Sequence, residues 1–129
     1  MDKIAEFLTV IRNGGKVKAE KVDVPASKVR AGIAQILADE GYIRSFKIAK
    51  DSKQGIMRVY LKYDEEGHHA ISDIKRISRP GRRLYIKNYN VPVIRSGLGF
   101  AILSTSHGII SGRTATEKKL GGELLCTVW

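Results

Sequence analysis

Three adjacent hydroxyl side chains, Ser104, Thr105 and Ser106, followed by His107 and Gly108, form the segment best equipped for chemistry with a partner. Hydroxyls donate to phosphate oxygens, and they both donate to and accept from ribose 2′-hydroxyls and base edges. Gly108 lets the backbone turn sharply and approach a partner closely. By itself the segment is a weak signal, because Ser, Thr and Gly also build ordinary turns. Catalytic groups do not gather around it. A nuclease pairing of His107 with Glu123 or Asp73 as acid and base rests on residue types too common to count. His68 and His69 are adjacent in a predicted loop and share no helical face. They read as solvated loop histidines, not metal ligands. Gly97-Leu98-Gly99 and Leu120-Gly121-Gly122 lack the Gly-Lys-Ser/Thr ending of a phosphate-binding loop. These residues describe a binding protein and not an enzyme, with no cofactor and no metal.

The surroundings raise the standing of the hydroxyls. Between Asp73 and Glu117 there is no acidic residue, while Lys75, Arg76, Arg79, Arg82, Arg83, Lys87, Arg95 and Arg113 all fall there. A charge run is usually a solvated face, but one without compensating carboxylates repels itself unless a polyanion neutralises it. In residues 1–64, by contrast, acids and bases interleave as on an ordinary surface. Tyr85 and Tyr89 lie beside Arg83 and Lys87, where a phenol ring can stack on an unpaired base or simply join the core. The whole chain of 129 residues carries 23 Lys and Arg against 13 Asp and Glu, a net of +10. Nucleic acid is the first partner that charge suggests and an anionic membrane surface the second.

The elements that must position these groups are readable from periodicity. Ile4, Phe7, Leu8 and Ile11 predict a helix stopped by Asn13-Gly14-Gly15. Val22 and Val24 predict a short strand ending at Pro25, and Ser27 caps a second helix burying Val29, Ile33, Ile36 and Leu37, with Gly41 past its end. Strands at Ile43–Ala49 and Ile56–Tyr63 complete a helix-strand-helix-strand-strand unit. The polar run Asp64-Glu65-Glu66-Gly67 marks a boundary. Beyond it come short strands, a type II turn at Arg79-Pro80-Gly81, a strand from Leu84 to Lys87, and the apolar central strand Phe100–Leu103. Ser111 then caps a short helix through Lys119, closed by Gly121-Gly122, and Glu123–Val128 forms a last strand. The fold class expected is α+β: a small N-terminal α/β subdomain (1–64) packed on a C-terminal, mostly antiparallel β subdomain (65–129) with one short helix. With 43% hydrophobic residues the chain can build a core. Cys126 alone excludes an intramolecular disulfide and reads as a packed hydrophobe. Neither a signal peptide nor a membrane span is visible, which suggests a cytoplasmic or equivalent reducing compartment and no membrane partner.

Laid out in this order, the residues resemble a known family, the eighth protein of the small ribosomal subunit, bacterial or organellar type. The resemblance rests on Ile77-Ser78-Arg79-Pro80-Gly81, Gly97-Leu98-Gly99, Ser104-Thr105-Ser106 with Gly108, Arg113, and Leu120-Gly121-Gly122-Glu123. In the first half it rests on Ile11-Arg12-Asn13, Pro25, Ser27-Lys28 and Glu40-Gly41-Tyr42-Ile43. Each block is weak, but their common order and spacing over nearly the whole chain are specific. The resemblance implies a structural protein of the small subunit that binds its ribosomal RNA directly and early in assembly, at a distorted hairpin of the central domain read from the minor groove. It also implies neighbouring ribosomal proteins as partners, a ribosomal location in the cytoplasm or an organelle, and translational repression through the protein's own messenger RNA in bacterial members. By motif, Ser104, Thr105 and Ser106 would touch bases and sugars, with His107, Gly108, Gly122 and Glu123 beside them. Tyr85, Arg79, Arg82, Arg83 and Lys87 lie nearby, and Arg12, Asn13 and Lys28 add contacts from the first half. Two positions depart from the pattern. His107 stands where a basic residue is common. Gly112 stands where an acidic residue is usual, which weakens the expected cap of the short helix. A free regulatory nucleic-acid module and an RNA-processing enzyme are the rival readings. Competition between duplex DNA and structured RNA tests the first, and a cleavage assay tests the second.

Overall fold

The computed structural model of the chain describes residues 2–50, 53–94 and 98–129, so Arg95 and Gly97 of the readings above lie outside the described residues. The chain divides into two units, Ile4–Ser72 and Asp73–Trp129 with Met1–Lys3. The polar run 64–67 is a turn, with the Gly67 N–H donating to the Asp64 carbonyl at 3.0 Å.

In the first unit α1 (Lys3–Lys16) buries Phe7, Leu8 and Ile11, the face their spacing predicts. It does not stop at Asn13. Gly14 and Gly15 are buried inside it because neighbours press on them. A Cβ on Gly14 would lie 2.6 Å from Val22 Cγ1, and one on Gly15 would lie 2.1 Å from His69 Nδ1. The helix exit is made by Lys18, left-handed at φ 55°. The Ala19 N–H donates to the Gly14 carbonyl at 2.9 Å and the Lys18 N–H to that of Gly15 at 3.2 Å, the paired closure of a Schellman end.

Next come β1 (Lys21–Pro25), α2 (Lys28–Asp39), β2 (Ile43–Ala49) and β3 (Ile56–Leu61), in the predicted order. The Ser27 hydroxyl caps α2 by accepting the Arg30 N–H at 3.1 Å. The buried face of α2 runs through Arg30, Ile33, Ala34 and Leu37, a helical stripe. Val29 falls off that stripe and is exposed, contrary to its predicted place. Arg30 takes the buried position because its guanidinium donates to the Pro25 carbonyl at 2.8 Å. The three strands form an antiparallel sheet in the order β1-β3-β2 with Met57, Val59 and Leu61 inward. His69 is not a solvated loop histidine. Its ring packs against Gly15 and lies 5.4 Å from that of Tyr63, and burial lowers its pKa. His68 is the exposed one, 3.3 Å from Asp64.

The second unit contains β4 (Ile74–Arg76), β5 (Tyr85–Ile86), β6 (Phe100–Thr105), β7 (Gly108–Ser111), α3 (Gly112–Lys118) and β8 (Gly122–Val128). The strand expected over Leu84–Lys87 shrinks to β5, followed by a 3-10 turn at Asn88–Asn90. Every pairing is antiparallel in the order β4-β8-β6-β7, and β5 joins β8 on a different stretch from β4. Thus β8 is the strand that β4, β5 and β6 share. The apolar run in β6 is the central strand its composition predicts, with Ala101, Ile102 and Leu103 buried. Ala115 of α3 packs with Ala101, Leu103 and Leu124. The Ser111 hydroxyl accepts the Thr114 N–H at 3.3 Å, so α3 is capped without an acidic residue. A Cβ at position 112 would lie 2.7 Å from Val91 Cγ1, so any side chain there would have to displace that valine. Gly121 and Gly122 do not close α3. Lys119 does, at φ 56°, with the Leu120 N–H on the Ala115 carbonyl at 2.8 Å. The Arg79–Arg82 turn closes with the Arg82 N–H on the Arg79 carbonyl at 2.9 Å. Gly81 is not among the positive-φ glycines, so the turn is not type II. Burial pushes the Cys126 thiol up to about 12, which suits a packed side chain and not a nucleophile. The architecture is α+β. Among the described residues no helix is long and apolar enough to cross a membrane, and no cluster of His, Cys, Asp and Glu could hold a metal ion.

Candidate nucleic-acid interface

The hydroxyl segment is the tip of a hairpin and not a free loop. Ser104 and Thr105 are the last residues of β6, Gly108 is the first of β7, and Thr105 pairs with Gly108. Only Ser106 and His107 lie between. Neither has a positive φ, and Gly108 at φ +100° supplies the left-handed residue that lets the chain rejoin the ladder. The Thr105 hydroxyl is spent inside this turn, donating to the Gly108 carbonyl at 2.9 Å and accepting the His107 N–H at 3.1 Å. Ser106 Oγ lies 3.2 Å from His107 Nδ1, and both side chains are exposed. Ser104 has no side-chain hydrogen bond to any described residue. Of the three hydroxyls, that of Thr105 is the one committed to the turn, and those of Ser104 and Ser106 are left to offer.

Strand register gives Ser104 its neighbours. It lies opposite Glu123 on β8, and Glu123 lies opposite Tyr85 on β5. Directly paired residues share a face of an antiparallel sheet, so Tyr85, Glu123 and Ser104 form one row. The chains come this close because residue 122 is glycine. A Cβ there would lie against the Ser104 carbonyl oxygen at 2.2 Å, a distance real atoms do not tolerate. Tyr85 is 64% exposed and Tyr89 71%, so neither ring is core.

Glu123 is held from behind. Ser78 donates its hydroxyl to Glu123 Oε2 at 2.5 Å and accepts the Leu84 N–H at 3.1 Å. The Arg83 guanidinium lies 3.7 Å from Glu123 Oε1, and its pKa is raised first by the Tyr85 hydroxyl and then by the Glu123 charge. Ser78 is fully buried, and no spacing of residues marks it as part of a site. Its only signal in the sequence was membership of the block at 77–81. Exposed Arg79 and Arg82 stand on the turn beside Arg83, and exposed Lys87 follows β5. Arg76 is withdrawn from the basic run. Its side chain is 10% exposed, 3.2 Å from Asp2 and donating to the Leu125 carbonyl at 2.7 Å.

Thus Ser104, Thr105, Ser106, His107, Gly108, Gly122, Glu123, Tyr85, Arg83 and the Arg79–Arg82 turn all belong to the second unit, at one end of its sheet. Arg12, Asn13 and Lys28 belong to the first. Arg12 is half-buried on α1 with a partner in the protein, Asn13 is exposed on the same helix, and Lys28 is exposed at the first turn of α2. Chemically, the row offers a hydroxyl that donates and accepts, a carboxylate that only accepts, and an exposed ring for stacking, with cations alongside.

The family described as Ribosomal protein S8 matches residues 2–129. The chain is 70% identical over 129 residues to the small ribosomal subunit protein uS8 of Bdellovibrio bacteriovorus, covering all of both chains. It is 50% identical over 128 residues to the uS8 protein of Geotalea daltonii, covering 99% of this chain and 97% of that one. The uS8 protein of Thermodesulfovibrio yellowstonii is likewise 50% identical, covering 99% and 98%. These relatives bear the name of a ribosomal subunit protein and not of an enzyme, and identity of this extent over whole chains leaves one assignment: the chain belongs to the ribosomal protein S8 family, whose members are structural proteins of the small ribosomal subunit.

Proposed function

We propose that the protein binds small-subunit ribosomal RNA directly, at a distorted hairpin of the central domain approached from the minor groove, and that this contact is needed for subunit assembly. Neighbouring small-subunit proteins are its protein partners, the cytoplasmic ribosome is its location, and a similar hairpin in its own messenger RNA is a second ligand through which it represses translation. Ser104, Ser106 and His107 meet bases and sugars. Thr105, Gly108 and Gly122 hold the backbone that presents them, Tyr85 stacks, and Arg79, Arg82, Arg83 and Lys87 meet phosphates. Arg12, Asn13 and Lys28 add contacts from the first unit.

The observation that carries this reading is Glu123, a fixed carboxylate beside a hydroxyl with no partner among the described residues, in a strip otherwise basic. Phosphate is repelled from a carboxylate, so whatever docks there presents a hydrogen-bond donor, namely a base amino or imino group or a ribose 2′-hydroxyl. The shallow minor groove of A-form RNA displays those groups, and the cations around it take the phosphates. The test is twofold. The protein should co-sediment with small subunits and protect one central-domain hairpin from cleavage reagents. Replacing Ser104 and Ser106 together by Ala should weaken that hairpin by about 2 kcal/mol, counting about 1 per hydrogen bond. Unchanged affinity with the fold intact would remove the hairpin tip from the interface. Competition between the messenger hairpin and the ribosomal one for the same protein tests the repression arm, and failure to compete would end it.

A further inference from the structure

The Arg79–Arg83 turn encloses a cleft of about 340 Å³ lined by Ile77, Arg79, Arg82, Arg83 and Leu84. We infer that this cleft is a receptor for one unstacked nucleotide, with the base lying flat on Ile77 and Leu84 and the phosphate on Arg79 and Arg82. This rests on the RNA-binding reading above and names a second subsite within it.

The argument starts from the floor. Leu84 is 44% exposed, and Ile77 is half-buried with its inner side against the core of Ala101, Leu103, Ala115 and Leu124. An exposed leucine between arginines lacks an apolar cover. A nucleobase supplies one, because its face is apolar while its edges remain polar. The floor has no side-chain donor or acceptor of its own, so it would accept the face of a base and not read its edge.

The rim is cationic. Arg79 and Arg82 are exposed and form no ion pair among the described residues, and no carboxylate lines the cleft. Their backbones are locked to each other by reciprocal hydrogen bonds, Arg79 N–H to Arg82 carbonyl at 3.1 Å and the reverse at 2.9 Å, so the mouth is fixed although the side chains are long. Guanidinium planes also stack on bases, which gives the rim a second means of holding a splayed nucleotide. Size excludes larger occupants. Small-molecule sites run from about 300 to 1,000 Å³, and this cleft lies at the low end, with room for one nucleotide and none for a duplex. It is continuous with the proposed reading row. Arg83 reaches Glu123 at 3.7 Å, and the Leu84 carbonyl accepts the Leu124 N–H at 2.9 Å, one residue after Glu123. A nucleotide adjoining the one at Ser104 and Glu123 is the natural occupant.

The experiment uses the whole chain with isotope-labelled Ile and Leu methyls, titrated with adenosine 5′-monophosphate and, separately, with inorganic phosphate. The expected result is that Ile77 and Leu84 methyl resonances move under the ring current of the nucleotide and stay put with phosphate at equal concentration. Replacing Arg79→Met and Arg82→Met together should weaken the nucleotide at least tenfold while leaving the spectrum of the core unchanged. Methyls unmoved at millimolar nucleotide, or moved equally by phosphate or by a short poly-aspartate peptide, would overturn the subsite. Hairpin binding by Ser104→Ala, measured in parallel, reports the RNA reading by a residue outside the cleft. If Ser104→Ala weakens the hairpin and the methyls do not move, the subsite alone has failed.

Discussion

Ser104 and Thr105 are adjacent and chemically alike, yet the structure gives them separate tasks. The Thr105 hydroxyl closes the hairpin from inside, bonded to Gly108 and His107, while that of Ser104 faces Glu123 with no protein partner among the described residues. Ser104→Ala should therefore leave the thermal midpoint where it is and weaken the ribosomal hairpin by about 1 kcal/mol, the net value of one hydrogen bond. Thr105→Ala should lower the midpoint, at a cost of about 1 kcal/mol for the lost turn bonds. Calorimetric titration and thermal melts of the two variants check the contrast, and equal behaviour in both assays would refute it. The cluster of hydroxyls was plain in the sequence. Their division was not, because it depends on which residue faces Gly108 across the turn. Ser78 was hidden for a similar reason. A buried serine carries no periodic signal, and its value comes from a carboxylate that lies 45 residues away along the chain.

At the scale of elements, apolar spacing located both long helices and the central strand, since burial imposes its period on the residues that meet it. Glycine was the signal that misled. The pairs at 14–15 and 121–122 looked like helix stops, whereas the left-handed exits fall to Lys18 and Lys119. A glycine marks either a reversal of the chain or a close neighbour, and only the neighbour distinguishes the two. Gly122→Ala tests the second case. Its methyl would collide with the Ser104 carbonyl oxygen, so it should destabilise the protein by about 1–3 kcal/mol, the usual cost of overpacking. Urea unfolding measures that, and hairpin affinity should fall with it as β6 and β8 are forced apart. The first unit carries its own pH dependence at His69, packed against Gly15 and Tyr63. Burial lowers its pKa below the ordinary 6.5, so between the two values the unfolded chain holds the proton and the folded chain does not. The stability from the neutral ring is complete above 6.5 and is lost as pH falls through the folded pKa. Thermal midpoints from pH 8 to pH 5 should drop more steeply for the native chain than for His69→Gln, which removes the titration.

Across the whole molecule, the stretch of sequence without acids is less bare in three dimensions. Asp2 comes to Arg76 and Glu123 to Arg83, each from a distant part of the chain. The +10 net charge stands, but its cations are not equivalent. Arg79 and Arg82 are exposed and form no ion pair among the described residues, and Arg76 is committed to structure. Replacing Arg79 and Arg82 together by Met should flatten the dependence of log affinity on log salt by about two, roughly one for each phosphate contact. Arg76→Met should lower the unfolding midpoint and leave the slope alone, and a slope change there would contradict its assignment. One further consequence follows from β8. It follows every other described strand along the sequence, yet it is the common neighbour of β4, β5 and β6. A chain halted before Gly122 has the hydroxyls, the tyrosine and the arginines, but nothing to align them. β8 is thus the keystone of the proposed RNA grip: a copy cut before it keeps each contact residue up to Gly108 and loses the frame that sets them in register.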